Sequence, residues 1–170
     1  MTSLEWTASH VVWLGEIDDE HREIFELAGE LQAVLPHPDS SPAVRRATQR
    51  LYTSIKEHFA HEERLMRAAR YGSLRWHRNQ HNFARKRVRQ FIVEVNAGDR
   101  DAGIELIDYL KSWLNDHTRI ADRMMAAFLR NDCRTVCKMT FRVGTRPATA
   151  CSWVDRHGDK FDPLRPPDGL

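Results

Sequence analysis

His58-Phe59-Ala60-His61-Glu62-Glu63 and, further along, His77-Arg78-Asn79-Gln80-His81 decide how this chain is read. Both stretches sit in segments whose apolar residues recur at three- and four-residue steps, the period of a helix. Residues four apart on a helix share a face, one above the other. His58 and Glu62 therefore make one inward pair, and His77 and His81 a second. One turn of spacing suits two side chains that meet at a single metal ion, or at two adjacent ones.

The surrounding residues extend both segments. The first motif belongs to a helix expected over about 43–69, with Val44, Ala47, Leu51, Ile55, Phe59, Leu65 and Met66 in the same stripe as His58 and Glu62. Two ionisable groups inside an apolar stripe are unfavourable unless something satisfies them, and a metal does so. Tyr71-Gly72-Ser73 reads as a turn, with Gly72 as the expected helix C-cap. The second motif belongs to a helix over about 74–95, with Leu74, His77, His81, Ala84, Val88, Phe91, Ile92 and Val95 inward. Arg75, Arg78, Arg85, Lys86, Arg87 and Arg89 cover its outside, and that basic run reads as a solvated face.

Two more helices flank these. Asp18 or Asp19 is the expected N-cap of the first. His21 shares a face with Ile17, Ile24, Phe25 and Ala28, and the helix ends before the proline-rich loop at 36–42. The last helix runs over about 100–130, with Ile104, Ile107, Leu110, Trp113, Leu114, His117, Ala121, Met125 and Phe128 in its stripe. Asp122 follows His117 by five residues, about 140° around an ideal helix. Those two converge only if the site is broad or the helix is locally distorted.

Four amphipathic segments with short loops predict an all-α, up-down-up-down antiparallel four-helix bundle. His21 is early in the first helix, His58 and Glu62 late in the second, His77 and His81 early in the third, and His117 and Asp122 late in the fourth. Antiparallel neighbours bring all seven to one level, towards one end. Seven ligands exceed what one first-row ion takes. Five imidazoles and two carboxylates suit two ions, each carboxylate touching both. With divalent ions and a bridging hydroxide the buried site keeps a charge of only +1, and one coordination position stays open.

The remainder is less informative. The chain has 170 residues, 41% of them hydrophobic and 29% charged, which fits an ordinary globular protein with one bundle domain over 1–130. Residues 1–17 read as an irregular arm whose Trp6 and Trp13 pack over one end of the bundle. Residues 131–170 hold four of the seven prolines and no clear period, and read as an irregular tail. Cys133, Cys137, Cys151 and His157 in that tail fit no familiar zinc spacing. No apolar run approaches the about 20 residues of a membrane span, and the N-terminus lacks a signal-peptide layout, which favours the cytoplasm. Net charge is +2, so the total gives no reason to expect nucleic acid or an anionic membrane surface as partner.

On these residues the chain resembles a hemerythrin of the bacterial form. The match covers 4 to about 130: Leu4-Glu5-Trp6, Gly15-Glu16-Ile17-Asp18 with His21, His58-Phe59 with Glu62-Glu63 and Met66, His77 with His81, and Trp113-Leu114 with His117 and Asp122. The five-residue step to Asp122 is itself the family's pattern. The resemblance implies a non-heme di-iron centre, oxo- or hydroxo-bridged, that binds O2 reversibly. His77, His81 and His117 would fill one iron, His21 and His58 would hold the other with a vacancy, and Glu62 and Asp122 would bridge. Phe59, Trp113 and Leu114 are the implied pocket walls. Thr118 departs from the family, which commonly has an aliphatic residue there, and its hydroxyl could admit water and hasten autoxidation. Unless its side chain bonds back to its own helix, replacement by Ile should slow that reaction.

The expectation is a monomeric, non-enzymatic O2-binding module (carrier, store or sensor), with room in the tail for a protein partner that the sequence does not name. The competing readings are a di-iron oxidoreductase or nitric oxide-handling protein, and an iron store. Against the first, no Glu-x-x-His pair of the ferritin-like kind stands at a ligand position. His61 is expected in a supporting position or at the surface, and His10, His37 and His157 carry no case as ligands.

Overall fold

The structure, a computed structural model, describes residues 4–37, 41–99 and 101–131, and the backbone of 153–154 and 160–161. Helix α1 spans Gly15–Val34, α2 Ser41–Ala68, α3 Leu74–Asn96 and α4 Asp101–His117. After His117 the chain makes a wide π-helical turn over Thr118–Asp122 and continues as helix through 123–131. Each helix packs on its chain neighbours and α4 closes the ring against α1, so α1 and α3 occupy opposite corners. This is the expected four-helix bundle. Trp153–Val154 pairs antiparallel with Lys160–Phe161. The cysteines and His157 lie outside the described residues, as does the reading of the tail as irregular over nearly all its length.

Apolar side chains form two clusters rather than one. The larger joins Ile24, Leu31, Leu51, Ile55, Phe91, Leu106 and Leu110 with their neighbours in the long arms of the helices. The smaller joins Val12, Leu14 and Ile17 to Leu65, Met66, Met125 and Leu129 at the other end. His21, Glu62, His77, His81, His117 and Asp122 lie in the sequence gaps between these clusters, and His58 one residue before Phe59, the last of the larger cluster on α2, so a polar layer divides the core. Ile104, expected in the α4 stripe, is 39% exposed, while Ala102, Gly103 and Leu106 are buried in its stead. The apolar arc of α4 is therefore turned slightly from the one its spacing suggested.

Both helix ends chosen from residue type differ from expectation. Helix α1 starts at Gly15, ahead of Asp18 and Asp19. Asp18 lies fully buried in the first turn, and its Oδ1 accepts the Val12 N–H at 2.7 Å. Its role is to fold the lead-in back onto the helix. Arg123 and Arg130 add donors to the carbonyls of Ser9, Val11 and Val12 in the same lead-in. That path gives Trp13 a left-handed φ of 64° and leaves it 56% exposed. Of the two tryptophans expected over the bundle end, only Trp6 packs, beside His10 and Phe25.

At the end of α2 the left-handed residue is Arg70, with φ 54°, and not Gly72. The Tyr71 N–H reaches Met66 O at 2.9 Å and the Arg70 N–H reaches Arg67 O at 3.1 Å, a Schellman pair. Tyr71 and Met66 both pack in the smaller cluster, so a hydrophobic contact fixes where the helix stops.

Replacing Asp18 by Ala leaves the Val12 N–H without its buried acceptor. The expected result is a loss of about 1–3 kcal/mol in urea unfolding, against less than about 0.5 kcal/mol for Asp19→Ala at the surface.

Candidate metal centre

The bundle brings all seven candidate ligands to one place. Donor atoms of His77, His81, His117, Glu62 and Asp122 lie within 4.8 Å of one another, and so do those of His21, His58, Glu62 and Asp122. The two carboxylates belong to both groups. His77 Nε2 is 3.3 Å from Glu62 Oε2 and 3.1 Å from Asp122 Oδ1. His81 Nε2 is 3.1 Å from Glu62 Oε2, and His117 Nε2 is 3.0 Å from Asp122 Oδ1. On the other side His21 Nε2 stands 3.2 Å from Asp122 Oδ2 and His58 Nε2 3.8 Å from Glu62 Oε2.

The π-helical turn explains how His117 and Asp122 meet. An α-helix would set them about 140° apart, whereas the widened turn over Thr118–Asp122 carries Asp122 back under His117. Such single wide turns recur at functional sites. Thr118 opens it, buried, with its Oγ1 donating to Leu114 O at 2.8 Å. The hydroxyl proton is thereby committed to its own helix.

Although close, these groups do not satisfy each other. Nε2 of His21, His77, His81 and His117 and all four oxygens of Glu62 and Asp122 are buried without a hydrogen bond. Unsatisfied buried polar atoms are destabilising by about 1–3 kcal/mol each, and a set of them converging from four helices fits bound cations. The electrostatics agree. Burial and the neighbouring Asp122 would raise Glu62, yet His58, His77 and His81 hold it well below the usual carboxylate range. Asp122 is likewise held down against burial, chiefly by His117 and His21. Burial would lower His77, but Asp122 and Glu62 push it up to about 10. His117, where burial prevails, is lowered. Two ionised carboxylates among imidazoles suit first-row divalent metals.

Two further carboxylates orient the imidazoles, and sequence reasoning missed both as functional groups. Buried Glu20 takes His58 Nδ1 at 3.0 Å and His61 Nδ1 at 2.8 Å. Glu63 takes His81 Nδ1 at 3.2 Å and Arg85 at 2.8 Å. An ionised carboxylate only accepts, so these rings carry their protons on Nδ1, and His58 and His81 turn their Nε2 lone pairs to the centre. Burial would raise Glu20, but the His58 and His61 bonds hold it at about 2. Glu63 is also held at about 2, against burial, by His81 and Arg85. The signal was available: each is the acidic neighbour of a ligand position. His61 proves fully buried in a supporting position.

The aromatic surroundings split by side. Phe59 stacks on His81 with centroids 4.0 Å apart, and Trp113 on His117 at 4.1 Å. Leu114 is buried beside them. His21 is instead approached by Trp6, which with Phe25 encloses His10. His10, set aside from the sequence, is buried and accepts the Thr7 N–H on Nδ1. A groove of about 320 Å³, lined by Trp76, Tyr109, Trp113, His117 and Ile120 among others, opens between α3 and α4.

The family described as "Hemerythrin HHE cation binding domain" matches residues 14–129. A bacteriohemerythrin of Pseudomonas aeruginosa is 31% identical over 121 residues, 67% of this chain and 78% of that protein. A hemerythrin of Siphonosoma cumanense is 28% identical over 117 residues, 69% of this chain and 86% of that one. A crystal structure of wild-type hemerythrin superposes with a TM-score of 0.65 at 20% identity, covering 72% of this chain and 95% of that chain, which bears on the fold.

Glu20 supplies the pH dependence. Its folded value, about 2, lies below its ordinary 4.5, so between the two the unfolded chain binds the extra proton. The stabilisation is complete above the ordinary value and is lost as pH falls through the folded one. In metal-free protein Glu20→Gln should be about 1–3 kcal/mol less stable at neutral pH, and the difference should close as urea midpoints are followed down to about pH 2.

Proposed function

The chain belongs to the hemerythrin family, and on that premise we propose that it holds two iron ions and binds O2 reversibly. The observation that carries this reading is the convergence of buried, unsatisfied imidazole nitrogens on two carboxylates that both ligand groups share. His77, His81 and His117 would complete one ion. His21 and His58 would hold the second with a position open. Glu62 and Asp122 would bridge, together with an oxo or hydroxo group. When bound, such a pair supplies O2 with two electrons, one from each ion, and recovers them on release.

The protein's share is orientation and dryness. Glu20 and Glu63 keep His58 and His81 in the metal-binding tautomer. Phe59, Trp113 and Leu114 line the site and exclude water, which favours release of bound O2 over irreversible oxidation. The Thr118 hydroxyl, bonded to Leu114, brings no free donor into the pocket. Carriage, storage and sensing all use the same reversible binding step.

Reconstitution with ferrous iron under argon, followed by repeated cycles of air and argon, tests the proposal. Two iron ions per chain and a visible charge-transfer band that comes and goes over many cycles are expected. One ion or none, or a band that forms once and bleaches, overturns it. Ala at His77 or Glu62 should lower the iron content. Thr118→Ile should leave the autoxidation rate within about twofold, since the hydroxyl is already satisfied within its helix.

A further inference from the structure

Between Arg64 and Val93 the sequence carries nine cations and no acid, whereas α1 carries seven acids and one arginine. A total of +2 conceals this separation. Because charges act over a Debye length of about 8 Å at physiological salt, the local face matters more than the sum. Six of the nine cations lie on α3, across the bundle from α1, which contacts α2 and α4; Arg64 and Arg67 lie at the end of α2 and Arg70 just after it.

On α3 the inward arc is filled by His77, His81, Ala84, Val88, Phe91 and Val95. The outward arc holds the cations. Arg78 and Arg85 lean on Glu63, and Arg87 lies over Phe91. Among the described residues no carboxylate stands within ion-pairing distance of Arg75, Lys86 or Arg89. Beside them Phe83 is 72% exposed and Trp76 45% exposed, seven residues apart on one edge of the helix. Ile120, at the rim of the groove that Trp76 also lines, is exposed as well.

We propose that the outer face of α3 is a peripheral docking surface for an anionic lipid bilayer. Arg75, Lys86 and Arg89 would meet headgroup phosphates, and Trp76 and Phe83 would enter the interfacial zone. Interfacial helices combine cations with aromatic anchors in this way. The opposed corners favour an extended surface over a small acidic partner, because contact through α3 keeps the acids of α1 farthest from the lipid charge. A nucleic-acid strand fits less well, since the aromatic side chains form one edge and do not alternate with the cations along a groove. No helix among the described residues is long and apolar enough to cross a membrane, so the contact is peripheral. The inference does not depend on the iron centre.

Co-sedimentation of the full chain with vesicles tests it, using phosphatidylcholine alone and phosphatidylcholine with phosphatidylglycerol. Binding to the anionic vesicles, none to the neutral ones, and release as salt is raised well above physiological strength are expected. Arg75→Glu with Lys86→Glu should weaken binding at least tenfold, as roughly expected from removing two cations from a charged leaflet. Phe83→Ser should weaken it without changing the salt dependence. Unchanged helical circular dichroism in both variants shows that the surface, not the fold, was altered. The salt titration of the unaltered chain stands whatever the variants do. Failure to bind anionic vesicles, equal binding to neutral ones, or retention by the charge-reversed variant overturns the proposal. So does preferential capture by a single-stranded oligonucleotide.

Discussion

Glu62 and Asp122 are the pair on which the molecule turns. They lie fully buried, surrounded by five imidazole rings, with no hydrogen bond to any of their oxygens. The surrounding imidazoles hold both ionised against burial. A layer built this way is able to hold cations, and where it does, binding and folding share one free energy. Without them the layer is a fault line between two hydrophobic clusters.

That division accounts for features elsewhere in the chain. The smaller cluster contains too few side chains from the helices alone, and the lead-in before α1 completes it with Val12 and Leu14. Asp18, Arg123 and Arg130 bind the backbone of that lead-in. The irregular arm is thus a cap on the polar layer and not a loose leader. The π-helical turn has the same origin. An α-helical register would turn Asp122 away from His117, and the widened turn restores the shared carboxylate within a helix that must still bury Met125 and Leu129 beyond it.

The bundle and its seven polar positions were legible in the sequence because both rest on period. His58 to Glu62 and His77 to His81 are one turn apart, and the apolar residues around them repeat at the same interval. What was not legible depends on contacts between distant segments. Glu20 stands beside His21 in the sequence, but the two rings it holds, His58 and His61, come from α2, so its partners were not legible in α1. Gly72 was the natural choice to end α2, yet Tyr71 packs against the smaller cluster and forces Arg70 into the left-handed region. Trp13 looked like core by composition, but Asp18 pulls the lead-in into a path that turns it outward. His10 gave no signal at all, since its burial depends on Trp6 and Phe25 closing around it. Residue type fixed the local preferences here, and long-range packing overrode them at each of these points.

The two supporting carboxylates also differ in what they connect. Glu20 ends in two buried rings, His58 and His61, so its charge stays inside the protein. Glu63 joins His81 to Arg85, and lies within 3.4 Å of Arg67 and 3.6 Å of Arg78. Its charge is shared with the solvent side of α2 and α3. A carboxylate whose charge is drawn off by guanidinium groups polarises its imidazole less than one bonded by rings alone. His58 and His81 thus carry the same tautomer but rest on carboxylates with different surroundings. The same arginines remove part of the positive charge from the α3 face and leave Arg75, Lys86 and Arg89 as its outward remainder. One carboxylate thus couples the interior of the site to the charge pattern of the surface, and the other isolates its ligand from it.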